Sequence, residues 1–193
     1  MQVIDDQIFV IENFISPNTA KYIVDTFTPY VNKSEYAGTY RGPGKGEQDA
    51  FRLSGLYKID QYDGNNDVGI DLLTGICNNM EKTMSDIFNK HIIMKSIFYS
   101  HMVTGGKNSL HVDNRKEEYK HDFSGILYLT DEYTGGDLYF PNKKLKFHAK
   151  PGTFICFIGT EDLAHEVQEV IDGNRINLIC FFNERNHFAN LRV

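Results

Sequence analysis

The sequence predicts a mainly β, α+β fold in which a two-sheet jelly roll or barrel follows a helical N-terminal part. Two observations carry this prediction. Apolar residues recur at three-to-four spacing over residues 68–90, which indicates an amphipathic helix. From Ile92 onward, short β-branched and aromatic runs alternate with Gly, Asn, Asp and Pro. We therefore expect helices packed outside a β core.

The N-terminal support, residues 1–91, contains few regular elements. A β-prone run covers residues 7–12, and Ser16 is a predicted N-cap, with Pro17 opening a helix that continues to about Phe27. Residues 32–67 are rich in glycine and charge and predict a loop with a strand near residues 51–59. Loops of this length are often functional, so the glycine-rich residues 42–46 are a candidate lid.

The core, residues 92–193, is predicted to contain about eight strands. No repeat, low-complexity tail or second domain is visible, so residues 1–193 are expected to form one domain. The predicted strands cover residues 92–102, 109–113, 125–129, 137–140, 144–149, 153–158, 165–170 and 175–182.

Composition excludes several classes of protein. The net charge of -6 and the lack of a basic cluster argue against nucleic acid as a partner. Three widely spaced cysteines without a CxxC pair predict reduced thiols and exclude a cysteine zinc site. No apolar run approaches the roughly 20 residues of a membrane helix, and no signal peptide is visible. We therefore expect a cytoplasmic protein without a membrane partner.

His111 and Asp113 are the first candidate functional residues. Residues two apart on a strand point to one face, so an imidazole and a carboxylate can bind one metal there. Two histidines and one carboxylate are typical of non-haem Fe(II) oxygenases. His165, which is the first residue of a predicted strand, is the candidate third metal ligand. His101 is the alternative candidate for this ligand. Alone, a His-x-Asp triplet is more often a surface histidine beside an aspartate.

Arg175 is the second candidate, because it starts the last predicted strand after an Asp-Gly-Asn turn. An arginine inside a jelly roll is costly unless an anion meets it, and its planar guanidinium binds a carboxylate through two parallel hydrogen bonds. A dicarboxylate co-substrate is therefore a natural partner. The alternative is an arginine whose charged end reaches solvent at a strand end, which is the commoner case for an isolated arginine.

The order His-x-Asp, distal His, Arg resembles the 2-oxoglutarate oxygenases, and the intervening sequence resembles their prolyl hydroxylase (prolyl 4-hydroxylase-like) branch. Residues 128–131 (Tyr-Leu-Thr-Asp) and 135–141 (Gly-Gly-Asp-Leu-Tyr-Phe-Pro) are similar to two of its segments. Residues 150–157 resemble its Lys-x-Gly turn before a buried strand, and residues 11–17 its first strand and helix. The resemblance covers most of the chain outside residues 32–67.

This resemblance implies a double-stranded β-helix (jelly roll) with the N-terminal helices packed on the larger sheet. It implies Fe(II) on His111, Asp113 and His165, with 2-oxoglutarate held at its distal carboxylate by Arg175 and Tyr128. O2 is the expected second co-substrate and ascorbate a further ligand. The implied reaction is hydroxylation of prolyl residues in a protein or peptide, with succinate and CO2 as co-products. The alternatives are hydroxylation of a free amino acid or other small molecule, and a jelly-roll metal-binding module without turnover.

Two positions depart from the family pattern. Collagen-type relatives carry a tyrosine nine residues before the first histidine, where this chain has Met102. Tyr99, three residues earlier, is the substitute candidate for contacting the co-substrate. Oxygen-sensing relatives carry a tryptophan six residues after the arginine, where this chain has Phe181. An aromatic wall is therefore expected to remain, with different substrate contacts.

Overall fold

The computed structural model describes residues 1–31, 37–39, 51–53, 67–113 and 121–185. The candidate lid at residues 42–46 lies outside these ranges. The helices are α1 (Pro17–Val31) and α2 (Asp67–Phe88). The strands are β1 (Gln2–Asp5), β2 (Ile8–Ile11), β3 (Ala37–Thr39), β4 (Phe51–Leu53), β5 (Ile92–Met102), β6 (Asn108–His111), β7 (Phe123–Tyr128), β8 (Tyr133–Gly135), β9 (Leu138–Phe140), β10 (Leu145–Phe147), β11 (Phe154–Ile158), β12 (His165–Val167), β13 (Val170–Gly173) and β14 (Arg175–Glu184).

A six-stranded sheet in the order β1-β2-β11-β7-β14-β5 forms the larger layer. Its pairs are antiparallel, and the longest ladder joins β14 to β5 over their whole lengths. A four-stranded sheet in the order β10-β9-β12-β6 forms the smaller layer, and β13 pairs with β8 beside it. These two layers are the sheets of a double-stranded β-helix, as the sequence predicts.

The two faces of the larger sheet have different partners because side chains alternate along a strand. On one face of β14, Leu178, Cys180 and Phe182 join a buried cluster with apolar residues of both helices. The helices therefore cover the outer face of the larger sheet, as expected. The other face of the same strand, which includes Arg175 and Asn177, is turned toward the smaller sheet.

The Ser16-Pro17 capping signal located α1 and apolar periodicity located α2, although the ends of both helices differ from the prediction. Helix α1 continues to Val31 rather than ending near Phe27, and α2 covers Asp67–Phe88. Ser16 caps α1 as expected, because its Oγ accepts a hydrogen bond from the Thr19 amide at 3.0 Å. The amphipathic pattern marks the buried stripe of a helix, while its ends depend on local capping.

Two parts of the strand prediction were wrong. The expected single strand over residues 165–170 is two strands, β12 and β13, which belong to different sheets. Between them the Gln168 amide donates to the Asp137 carbonyl at 2.9 Å, and the Glu169 carbonyl accepts from the Gly136 amide at 2.9 Å. The chain thus leaves the smaller sheet to pair with β8, an element that the apolar pattern did not reveal. Strand β1 was also missed.

Among the described residues, neither helix has the length and apolar character needed to span a bilayer.

Candidate metal and anion site

Strand pairing in the smaller sheet brings the candidate metal ligands together. His165, the first residue of β12, is the direct partner of His111 at the end of β6. Their rings lie 4.4 Å apart between centroids. Asp113 follows two residues after His111, so its carboxylate returns to the same face. Residues separated by more than fifty positions in the chain therefore meet at one end of the space between the two sheets, which we call the cavity.

Backbone carbonyl groups orient both imidazole rings. His111 Nδ1 donates to the Ser109 carbonyl at 2.7 Å, and His165 Nδ1 donates to the Leu163 carbonyl at 3.1 Å. Because Nδ1 carries the proton, Nε2 is the metal-binding nitrogen of each ring. The two Nε2 atoms lie 3.4 Å and 3.6 Å from the Asp113 carboxylate oxygens. The donor lone pairs thus converge.

The Asp113 carboxylate is ionised in this position. Burial acts to raise its pKa, but the hydrogen bond with His111, the neighbouring His165 and a hydrogen bond from Ser124 outweigh that effect and lower the pKa to about 2. Ser124 Oγ on β7 donates to Asp113 Oδ2 at 2.6 Å. This contact fixes the carboxylate against the larger sheet.

These three side chains fit a ferrous ion. Their ligand atoms all lie within 4.8 Å of one another. Among the described residues, this is the cluster of His, Cys, Asp or Glu side chains that could hold a metal ion. Two imidazoles and one carboxylate match the set that binds non-haem Fe(II) and leaves positions for other ligands. When bound, such an ion supplies the redox chemistry of oxygen activation.

Ser124 is expected to support metal binding without touching the ion. Replacing Ser124 with alanine removes the hydrogen bond that orients Asp113, and loss of such an outer partner weakens metal affinity by about 10- to 100-fold. Fe(II) titration of the purified variant under anaerobic conditions measures the change. Ser100→Ala is the matched control, since Ser100 is also a buried serine of the larger sheet. It pairs with Asn177 of β14, whereas Ser124 pairs with Phe181, four residues further along that strand. Equal affinities in the two variants would rule out the orienting role.

A buried cation lies at the other end of the cavity. Arg175 is 1% exposed, and its Nη2 lies 3.5 Å from the hydroxyl of Tyr128, which is fully buried. Within the described part of the chain, no carboxylate forms an ion pair with this guanidinium, and Arg175 Nε has no hydrogen-bond partner. Burial raises the pKa of Tyr128, while the charge of Arg175 opposes the rise, so the hydroxyl stays protonated and can donate. A buried charge needs an anionic partner, and no described residue supplies one to Arg175.

Sequence reasoning missed two buried polar residues near this anion site. Asn177 and Tyr133 are buried, and their side-chain polar atoms have no hydrogen bond of standard geometry with any described residue. Asn177 lies two residues after Arg175 on β14, so the alternation along a strand could have revealed it. Tyr133 comes from a turn-rich segment, where no periodicity indicates the direction of a side chain.

Tyr99 does not join this group, contrary to the prediction. It lies three residues from Met102 on β5, and an odd separation along a strand places two side chains on opposite faces. Met102, the register partner of Arg175, faces the cavity. Tyr99 instead packs between the larger sheet and the two helices, and its hydroxyl forms a hydrogen bond with Thr28 Oγ1 at 2.7 Å. The alternative candidate His101 is also remote from the metal group, with its Nε2 2.9 Å from Asn174 Oδ1.

Tyr99→Phe tests this placement. Losing the hydroxyl leaves Thr28 without its partner, so we expect the free energy of unfolding to fall by about 1 kcal/mol. The affinity for 2-oxoglutarate should not change. Denaturant unfolding and co-substrate titration measure the two effects, with Tyr22→Phe on the exposed side of α1 as the control. A selective loss of co-substrate affinity would restore the original prediction.

Phe181 provides an aromatic surface near the metal ligands. It is the register partner of Ser124, which bonds Asp113, so it lies at the metal end of β14. Its ring stacks on His121 at 4.4 Å and meets Phe98 edge-on at 5.8 Å. The position where oxygen-sensing relatives have tryptophan thus keeps an aromatic side chain.

Residues 94–183 match the sequence profile of the 2OG-Fe(II) oxygenase superfamily. The matched segment contains the three candidate metal ligands and Arg175. This match confirms the enzyme class predicted from the sequence, a 2-oxoglutarate-dependent dioxygenase, and it implies Fe(II) and 2-oxoglutarate. No curated protein sequence matches the chain significantly.

Solved structures with a similar fold include three prolyl hydroxylases. A viral collagen prolyl hydroxylase from Paramecium Bursaria Chlorella virus-1, in complex with 2OG, is 14% identical with a TM-score of 0.63, covering 93% of this chain and 97% of that one. A Trichoplax adhaerens prolyl hydroxylase, bound to a hypoxia inducible factor peptide fragment, is 12% identical with a TM-score of 0.65, covering 93% and 84%. A Pseudomonas putida prolyl-4-hydroxylase is 13% identical with a TM-score of 0.63, covering 93% and 89%. At these identities the likeness establishes the fold.

Proposed function

We propose that this chain, whose residues 94–183 match the profile of the 2OG-Fe(II) oxygenase superfamily, hydroxylates prolyl residues in a protein or peptide. In this proposal His111, Asp113 and His165 hold Fe(II), and Arg175 with Tyr128 holds the distal carboxylate of 2-oxoglutarate. The products are the hydroxylated peptide, succinate and CO2. O2 as oxidant and ascorbate as a further ligand are expectations from the family resemblance.

The single observation that carries the proposal is the pairing of two unlike sites in one cavity. One end offers two oriented imidazoles and an ionised carboxylate, and the other offers a buried guanidinium without an ion-pair partner in the described chain. A molecule that satisfies both ends must chelate a metal at one end and carry a carboxylate at the other. 2-Oxoglutarate has this chemistry, since its keto acid chelates and its second carboxylate pairs with arginine.

The distance between the two ends also suits a short diacid. Along β7, Ser124 marks the metal end and Tyr128 the anion end, four residues apart. At about 3.3 Å per residue this is roughly 13 Å of strand, which the inward-reaching Asp113 and Tyr128 side chains shorten. The chain's own part in the reaction is to bind, orient and shield the co-substrate, because the metal and co-substrate carry out the redox step.

The choice of a prolyl substrate is supported by the relatives and by the aromatic surface at Phe181. The similar solved structures are named for prolyl hydroxylation, and one holds a peptide. Phe181, stacked on His121, offers a flat apolar wall beside the metal end. A proline ring, which is apolar and rigid, fits such a wall.

Mass spectrometry of proline-containing peptides incubated with the protein, Fe(II), 2-oxoglutarate and air tests this function. We expect one added oxygen on proline, with succinate formed in equal amount, and neither product with Asp113→Ala. Hydroxylation of free proline without any peptide product would favour the small-molecule alternative. Absence of succinate with every substrate would favour the metal-binding module without turnover.

A further inference from the structure

The cavity holds more hydrogen-bond donors around Arg175 than the family motif supplies. Asn177 is 0% exposed, and both Oδ1 and Nδ2 lack a partner among the residues that the structure describes. It shares the inward face of β14 with Arg175, and its register neighbours are Tyr128 on β7 and Ser100 on β5. Its amide therefore lies beside Tyr128, at the anion end of the cavity.

Tyr133 approaches the same guanidinium from β8. If Gly136 carried a side chain, its Cβ would lie 3.1 Å from Arg175 Cδ and 3.1 Å from Tyr133 Cε2. The side chains of Arg175 and Tyr133 therefore both pack against the Cα of this glycine. The Tyr133 hydroxyl is buried and has no hydrogen bond of standard geometry to any described residue. Burial raises its pKa to about 12, although Arg175 opposes the rise, so the group is a protonated donor near neutral pH.

The Tyr133 ring is also held in place. It lies 4.4 Å from the ring of His148, whose Nδ1 is bonded to Asp137 Oδ1 at 3.0 Å. A fixed ring keeps the hydroxyl directed at the guanidinium. Burying a hydroxyl or an amide without a hydrogen-bond partner costs about 1–3 kcal/mol. Here two such groups, with no hydrogen bond of standard geometry to any described residue, lie near a buried cation, which points to a shared ligand.

We propose that Tyr133 and Asn177 are additional ligand-binding residues, which complete the distal-carboxylate site and make the cavity selective for a dicarboxylate keto acid over a monocarboxylate one. The inference rests on the proposed function, because it takes 2-oxoglutarate as the ligand. Tyr133 donates through its hydroxyl and Asn177 through Nδ2, beside the Arg175 fork. One carboxylate then satisfies donors from β8 and β14 and neutralises the buried charge.

Two substitutions separate this role from a structural one. Tyr133→Phe and Asn177→Leu remove the donors while nearly preserving volume. Tyr139→Phe and Asn142→Leu are matched controls outside the cavity, since Tyr139 lies beneath Lys146 and Asn142 bonds the carbonyl groups of residues 161 and 162. Anaerobic titration of the Fe(II)-loaded protein compares 2-oxoglutarate with 2-oxobutyrate, which keeps the chelating end and lacks the distal carboxylate.

Each cavity variant should bind 2-oxoglutarate about 10-fold or more weakly, because each loses a hydrogen bond to a charged group. Its affinity for 2-oxobutyrate should stay at the wild-type value. The Tm of the ligand-free protein should not fall, since the removed groups make no hydrogen bond of standard geometry with any described residue. A structural role would instead lower the Tm and weaken both keto acids together.

The outcomes distinguish this inference from the function it rests on. Wild-type protein that binds 2-oxoglutarate, with both variants equal to it, overturns the role of Tyr133 and Asn177 alone. Parallel losses for both keto acids also overturn it. Wild-type protein that binds no 2-oxoglutarate overturns the inference together with the proposed function.

Discussion

Arg175→Met is expected to weaken the binding of 2-oxoglutarate strongly while leaving the affinity for Fe(II) unchanged. Two charge-assisted hydrogen bonds to the distal carboxylate are lost, each contributing about 1.5–3 kcal/mol, so the affinity should fall by at least about 100-fold. Anaerobic titration of the Fe(II)-loaded variant measures the loss, and Fe(II) titration alone measures the retained affinity. Methionine keeps an unbranched apolar stem in the space of the arginine.

The stability of this variant carries information of its own. Because Arg175 is buried without an ion-pair partner in the described chain, an apolar replacement should leave the Tm of the ligand-free protein equal or higher. Arg175→Lys keeps the charge and loses the planar fork, so an intermediate loss of affinity is expected. Arg185→Met, at an exposed residue that follows β14, is the control. Normal co-substrate affinity in Arg175→Met would remove the anchor from the proposal.

Asp113→Ala is expected to eliminate turnover and to weaken Fe(II) binding by more than about 100-fold. Loss of an outer partner already costs about 10- to 100-fold, and Asp113 supplies the charged ligand between two neutral imidazoles. Fe(II) titration and succinate formation measure the two effects. The variant also removes the acceptor of the Ser124 hydroxyl.

The matched control for this variant is Asp172→Ala, an exposed aspartate on β13. It changes the net charge by the same amount at a position away from the cavity. Retention of wild-type iron affinity by Asp113→Ala would exclude this carboxylate as a ligand. Equal losses in both variants would indicate a general electrostatic effect in place of coordination.

The sequence anticipated those parts of the site that depend on local periodicity. His111 and Asp113 are two residues apart, so their common face follows from the pleat of a strand. Arg175 begins β14 directly after a turn, as predicted, but its inward direction was expected only from the family resemblance. The amphipathic pattern of α2 likewise predicted which of its residues are buried against the larger sheet.

Tyr99 shows why a nearby residue of the right type is not a substitute. The predicted strand of residues 92–102 matches β5. The family motif has its tyrosine at the position of Met102. Tyr99 lies three residues earlier, so its side chain points to the opposite face of the sheet. The tyrosine therefore packs on Thr28 of α1, and the cavity has Met102 instead. The sequence also failed to predict that residues 165–170 are divided between two sheets. The division arises because β13 pairs with β8, which is distant in the chain.

The sequence by itself determined the helices, most strands and the chemical types of four central side chains, since each depends on neighbours within a few residues. Only the tertiary structure decided that His165 pairs with His111, that Ser124 orients Asp113, and that Tyr133 lies near Arg175. These contacts join strands far apart in the chain, and the register that sets them arises from the packing of two sheets around one cavity.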